Sequence, residues 1–167
     1  MNDRTLPIGE ITSPYFKGLI GVHPYPGKIQ GLDGDLDRIK RWGVKYLISF
    51  IEDREFIDLK ITDLGAKAKQ KGMYWTHLPI DDMACPDDRF EPTWLDLSIK
   101  LKQCLTDGGR IAFHCQGGYG RSGMMAAKLL IEFGHSPKDA ISMVRNARGS
   151  AAIESAVQEN YLYQVIQ

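Results

Sequence analysis

Residues Arg110 to Ser122 constrain the fold more than any other part of the chain. Arg110-Ile-Ala-Phe-His114 is a short, largely apolar run of the kind that forms a buried strand. It passes directly into Cys115-Gln-Gly-Gly-Tyr-Gly-Arg121, whose three glycines let the backbone turn where other residues would clash. A helical stretch from about Ser122 to Phe133 follows, stopped by Gly134. A strand that feeds a helix through one tight loop is a unit of parallel sheets, and such sheets hold their ligands at the carboxyl ends of the strands.

The rest of the chain alternates in the same way. Lys17–Val22, Val44–Ile51 and Met73–Ile80 read as strands. Asp33–Trp42, Thr62–Lys71 and Pro92–Thr106 read as helices, the last with Trp94, Leu97, Leu101 and Leu105 on one face. Ser136-Pro137 caps another helix, and a final one runs from about Glu154. The expected fold is α/β: a central, mainly parallel sheet flanked by helices. The length of 167 residues suits one domain over residues 1–167, with the turn-rich residues 1–15 expected to be flexible.

Charge and cysteine usage narrow the function classes. Lys plus Arg and Asp plus Glu both number 21, which argues against general attraction to nucleic acid or membrane, so any anion site must be local. No apolar run approaches the roughly 18 residues of a membrane span, and the opening residues lack a signal-peptide core. Cys85, Cys104 and Cys115 are an odd set without a C-x-x-C pair, which points away from disulfides or structural zinc and toward a reduced, cytoplasmic setting.

The chemistry lies in His114-Cys115-Gln116-Gly117-Gly118-Tyr119-Gly120-Arg121-Ser122. Five residues between thiol and guanidinium make one loop that returns Arg121 beside Cys115. Loop N–H groups and the positive end of the following helix form a cradle for a tetrahedral dianion, to which Arg121 adds two parallel donors. The same field favours the thiolate form of the cysteine, and Ser122 can donate to the sulfur. Asp81 and Asp82 follow a neighbouring strand, where one carboxyl can act as general acid and then activate water. No metal or other cofactor is required by this chemistry. Taken singly, each residue has an ordinary reading: a buried small hydrophobe, a solvated charge, a turn former. Their fixed spacing in a strand–turn–helix context is what carries the functional one. Gly118-x-Gly120-x-x-Gly123 also spells the dinucleotide fingerprint, but two helices follow it instead of a second strand with its acidic residue, and that reading leaves Cys115 without a role.

The loop resembles the H-C-x5-R-[S/T] signature of the protein tyrosine phosphatase superfamily, in particular its dual-specificity branch of kinase-associated and bacterial phosphatases. Leu78-Pro-Ile-Asp-Asp82 through Pro86, Pro26–Gln30 and Val144–Gln158 extend the likeness to about residues 16–165. The resemblance implies a dual-specificity phosphatase fold, Cys115 as nucleophile, Arg121 as phosphate clamp, residues 116–122 as phosphate cradle, and Asp82 as acid in preference to Asp81. It also implies that Glu52 orients Arg121, an assignment that competes with a plain solvated turn. Two departures stand out. Glu154 replaces a glutamine that positions water in many members, and the loop lacks the lysines of phosphoinositide-specific members, which favours phosphoprotein substrates. The alternatives from other classes are a phosphoprotein-binding module without turnover and a small-molecule phosphatase. Cys85, on the acid loop, is a candidate redox partner of Cys115 or simply packs beneath its loop; Cys104 reads as core.

Overall fold

The computed structural model describes residues 4–165. Five strands, β1 (Gly9–Ser13), β2 (Phe16–His23), β3 (Val44–Ser49), β4 (Tyr74–His77) and β5 (Arg110–His114), form one sheet in the order β1-β2-β5-β3-β4. Only β1 is antiparallel. The helices are α1 (Gly31–Trp42), α2 (Asp53–Asp58), α3 (Leu64–Gln70), α4 (Phe90–Thr106), α5 (Arg121–Glu132), α6 (Pro137–Arg148) and α7 (Ala156–Gln164). The mainly parallel sheet flanked by helices is the expected α/β class. None of the described helices is long and apolar enough to cross a membrane.

The central strands are apolar through their middles because both faces are covered. Along β5, Ile111 and Phe113 enter the larger core with Trp94 and Leu101 of α4 and Met125 and Leu129 of α5. Ala112 and then Cys115 point the other way, into the core beneath α1 and α3 with Leu36, Ile39, Leu64 and Ala68. Cys115 lies just past the end of β5, three residues after Ala112, so strand alternation alone would send it to the Phe113 side; the chain has left the strand there, and the thiol packs on the Ala112 side. Phe113 is fully buried and sets its ring edge-on to Phe50 at 5.3 Å between centroids. Truncating it to Ala would cost about 3–5 kcal/mol.

Two elements escaped the sequence reading. Residues 1–15 were expected to be flexible; residues 1–3 lie outside the described residues, and Gly9–Ser13 are β1, turned back onto β2 through Pro14-Tyr15. The turn formers that masked the strand make its hairpin: Ser13 pairs with Phe16, and the Tyr15 N–H donates to the Ser13 hydroxyl at 3.1 Å. The other is α2, six residues without apolar periodicity, in which Phe56 alone is buried. Strand β4 also ends earlier than its apolar pattern. Leu78 and Ile80 nevertheless donate to Ser49 and Phe50 carbonyls at 2.9 and 3.0 Å, so the polar loop beginning at Asp81 departs from a point fixed on the sheet.

Candidate active site

Every carbonyl of residues 116–120 is turned outward and engaged by the scaffold. Gln116 O accepts from Tyr25 N–H (3.1 Å), Tyr119 O from Ile153 N–H (2.9 Å) and Gly120 O from Met124 N–H (2.9 Å). Gly117 O and Gly118 O accept from Nη2 and Nε of Arg148, at 3.1 and 2.9 Å. In a planar trans peptide the N–H of the next residue points opposite to the carbonyl, so the N–H groups of residues 117–121 face the centre of the loop. The sequence showed that the loop could do this; the hydrogen bonds of the scaffold make it do so. Gly118 is indispensable to the shape. Its φ is +75°, and an added Cβ would lie 2.4 Å from the backbone of His23.

Cys115 Sγ lies 3.2 Å from Ser122 Oγ in the first turn of α5. Behind it, the sheet supplies a directed chain of hydrogen bonds. Trp75 Nε1, which can only donate, donates to Ser49 Oγ at 2.9 Å, leaving the Ser49 hydroxyl to donate to His114 Nε2. His114 must then carry its proton on Nδ1, which donates to Cys115 O at 3.0 Å. Burial, the neighbouring His23 and the Arg121 charge push the His114 pKa down to about 3, so the ring stays neutral in this role. His23 stacks on it at 5.7 Å, donates from Nδ1 to Pro24 O, and is itself pushed down to about 4, chiefly by burial.

Arg121 is almost fully buried, and its partner corrects the sequence reading. Glu52 was expected to orient it, but the carboxylate that holds it is Glu55: Nη1 donates to Oε2 at 2.7 Å and Nη2 to Oε1 at 2.8 Å. Glu52 is the residue before α2, and its N–H donates to Glu55 Oε2 at 2.7 Å. The helix therefore starts at the residue expected to act and swings the one three positions later toward Arg121. Burial pushes the Glu55 carboxyl up, but the Arg121 hydrogen bonds and charge and the Glu52 N–H outweigh it and hold it below the usual range. Glu52 is shifted the other way, by burial first and then by the Asp81 carboxylate beside it. Arg121 Nη1 also donates to Ile80 O at 3.1 Å, while Nε is buried without a hydrogen-bond partner in the protein.

The two aspartates part company here. Asp82 comes to 3.5 Å from Arg121 Nη2 and lines an open cavity of about 390 Å³ with Cys115, Gln116, Gly117, Gly120, Arg121 and Glu154. Asp81 is turned to Glu52. Tyr25 and Lys28 also line the cavity. Their segment is moulded by the buried carboxylate of Asp35, which accepts from the N–H groups of Gly27, Ile29 and Gln30 at 2.8, 3.0 and 3.1 Å. Of the other cysteines, Cys104 is buried core whose thiol is pushed up by burial. Cys85 packs against the larger core and Cys115 against the smaller. Among the described residues, no cluster of His, Cys, Asp and Glu is placed to hold a metal ion.

Sequence reasoning missed Glu55, Arg148, Asp35 and the Ser49–Trp75 pair. Only Glu55 left a local trace: a Glu three residues after another polar residue is the spacing of a helix start.

Sheet order and cradle together place the molecule in the class of cysteine-dependent phosphatases. Residues 21–135 match the family described as "Tc-R-P: Polymorphic toxin system, DSP-PTPase phosphatase", and the chain belongs to this family. It is similar to rat cyclin-dependent kinase inhibitor 3, with 29% identity over 163 residues, covering 95% of this chain and 76% of the relative. Human protein tyrosine phosphatase type IVA 3 is 28% identical over 149 residues, 89% of this chain and 79% of that one. The crystal structure of kinase associated phosphatase, with its catalytic-site cysteine replaced by serine, superposes with a TM-score of 0.86 at 27% identity, covering 98% of this chain and 95% of that chain. The fold and the relatives make this chain a tyrosine or dual-specificity protein phosphatase.

Proposed function

We propose that the chain hydrolyses phosphotyrosine, and also phosphoserine and phosphothreonine, in protein substrates through a cysteinyl-phosphate on Cys115. The observation that carries this reading is the outward anchoring of every carbonyl of residues 116–120, which turns the N–H groups of residues 117–121 inward in the loop joining Cys115 to Arg121, whose Nε is unpartnered. These donors would hold the three equatorial oxygens of a transferring phosphoryl group, whose charge is spread over them in the transition state. The Cys115 thiolate attacks phosphorus as the bond to the leaving oxygen breaks, and that oxygen takes the proton carried by Asp82. Water then attacks the phosphorus of the cysteinyl-phosphate and gives its proton to Asp82. The S–P bond breaks, inorganic phosphate leaves, and the Ser122 hydroxyl donates to the returning thiolate.

The open mouth supports the breadth of substrate: a shallow cradle reaches a short phosphoserine as well as phosphotyrosine. Phosphotyrosine is expected to be fastest, since phenolate is the better leaving group. The test is turnover of phosphopeptides by purified protein. Cys115→Ser and Arg121→Ala should each abolish it, and vanadate should inhibit the wild type. Turnover by Cys115→Ser would refute the covalent route, and preference for a phosphoinositide over every phosphopeptide would refute the substrate class.

A further inference from the structure

The side chain of Asp82 is 72% exposed, and Arg121 is its charged neighbour, at 3.5 Å. Little packing holds it in place, so its position depends on the backbone to either side. On the N-terminal side, Ile80 O accepts from Arg121 and Ile80 N–H donates to Phe50 O at 3.0 Å. On the C-terminal side, Met83 takes the left-handed conformation, φ +63°, in a turn closed by Ala84 N–H on Asp81 O at 3.0 Å. A non-glycine residue in that region persists only where its surroundings enforce it.

What enforces it is the start of α7. Ser155 is the N-cap: its hydroxyl accepts from Gln158 N–H at 3.1 Å and donates to Met83 O at 2.7 Å. Gln158 completes the reciprocal cap by accepting on Oε1 from the N–H groups of Glu154 and Ser155, at 2.9 and 3.3 Å. That leaves its Nε2, which donates to Ala84 O at 3.2 Å. Gln158 is fully buried, and its amide lies on Gly120, where an added Cβ would come within 3.2 Å of it. Two side chains that an ordinary helix would use only to satisfy its own first turn therefore also hold both carbonyls after Asp82. They do so from a position against the residue preceding Arg121. Two anchors with only Asp81 and Asp82 between them leave little play in a chain whose Cα atoms are 3.8 Å apart.

From this geometry we propose that the α7 cap is the clasp of the acid loop. Ser155 and Gln158 are positioning residues that hold Asp82 over the thiol, a role that rests on Asp82 being the general acid. A loosened clasp misplaces the proton donor but leaves the cradle intact, so its loss should fall on leaving groups that need protonation.

The experiment compares phenyl phosphate, whose leaving group needs a proton, with dinitrophenyl phosphate, whose leaving group does not. Ser155→Ala and Gln158→Met should each lower kcat for phenyl phosphate by roughly 10-fold or more, within the 10²–10⁴ that a general acid supplies. For dinitrophenyl phosphate the change should stay under about 3-fold, since no acid contribution is then lost. Ser155→Thr keeps the hydroxyl and should restore the wild-type ratio. Rates are taken per active site titrated with vanadate, so partial unfolding does not enter. In an Asp82→Ala background, Ser155→Ala should cost nothing further. Equal losses for both substrates, or an additive loss on top of Asp82→Ala, would make the cap a purely structural feature. If Asp82→Ala alone showed no leaving-group dependence, the acid assignment itself would fail, and the clasp with it.

Discussion

Replacing Glu55 and Glu52 in turn tests which carboxylate controls Arg121. Glu55→Gln keeps the shape of the side chain but removes the charge from a bidentate pair of 2.7 and 2.8 Å whose guanidinium is almost wholly buried. Breaking a buried pair costs about 3–5 kcal/mol when one charge is left unmatched. The amide retains one acceptor for Arg121, and Glu55 is partly exposed, so a loss of about 2–3 kcal/mol is expected. At about 2–4 °C per kcal/mol for a chain of this size, melting should fall by roughly 4–12 °C. The kinetic effect should be larger than the structural one. Arg121 gains freedom to leave the cradle, and losing one preorganised donor of this kind lowers kcat by about 10²-fold or more. Glu52→Gln, which leaves the pair intact, should change kcat/KM less than about 3-fold and stability by under about 1 kcal/mol. Turnover of an aryl phosphate, vanadate inhibition and thermal melting measure all three quantities. The stabilisation from Glu55, whose folded pKa is depressed, is present above its unfolded value and fades as pH falls through the lowered one, so the two melting curves should converge in acid. A Glu52→Gln loss exceeding that of Glu55→Gln would overturn the assignment.

Arg148→Met keeps an unbranched apolar side chain but removes both donors to the loop carbonyls, together with the guanidinium over the Tyr119 ring. It should lower kcat/KM by roughly 10–100-fold irrespective of leaving group, and Arg148→Lys should not rescue it, because a point charge does not span two carbonyls. Nitrogen-15 NMR of the imidazoles should find His114 protonated on Nδ1 alone and not titrating between about pH 5 and pH 8, as its hydrogen bonds and its pKa of about 3 require; a protonated Nε2 would break the Trp75–Ser49–His114 chain. His23, depressed from 6.5 to about 4, leaves the folded protein with fewer protons than the unfolded chain between those values. Stability should therefore decrease as pH is lowered through that window, by about 3 kcal/mol at its lower end. Urea midpoints should show a shallower fall in His23→Gln, and an unchanged slope would remove His23 as the cause.

The amino-acid sequence by itself determined what depends on neighbours along the chain. The apolar run within Arg110–His114 buries the strand, the three glycines make the loop, and the fixed spacing returns Arg121 and Ser122 to Cys115. Asp81 and Asp82 were legible as a polar loop beside Cys115 because apolar Met73–Ile80 places them past a strand. The tertiary structure decided what depends on partners far apart in sequence. Glu55 reaches Arg121 across 66 positions, Arg148 reaches Gly118 across 30, and Gln158 reaches Ala84 across 74. No periodicity announces such pairs, since each is selected only when packed helices bring two unsatisfied groups within hydrogen-bond distance. Glu52 and Glu55 show the limit most plainly. Both are acidic and both follow β3, yet the start of a six-residue helix turns one toward Asp81 and the other onto the guanidinium. The reacting residues are set by local chain geometry, and their orientation by a framework that exists only once the sheet and its helices have closed around them.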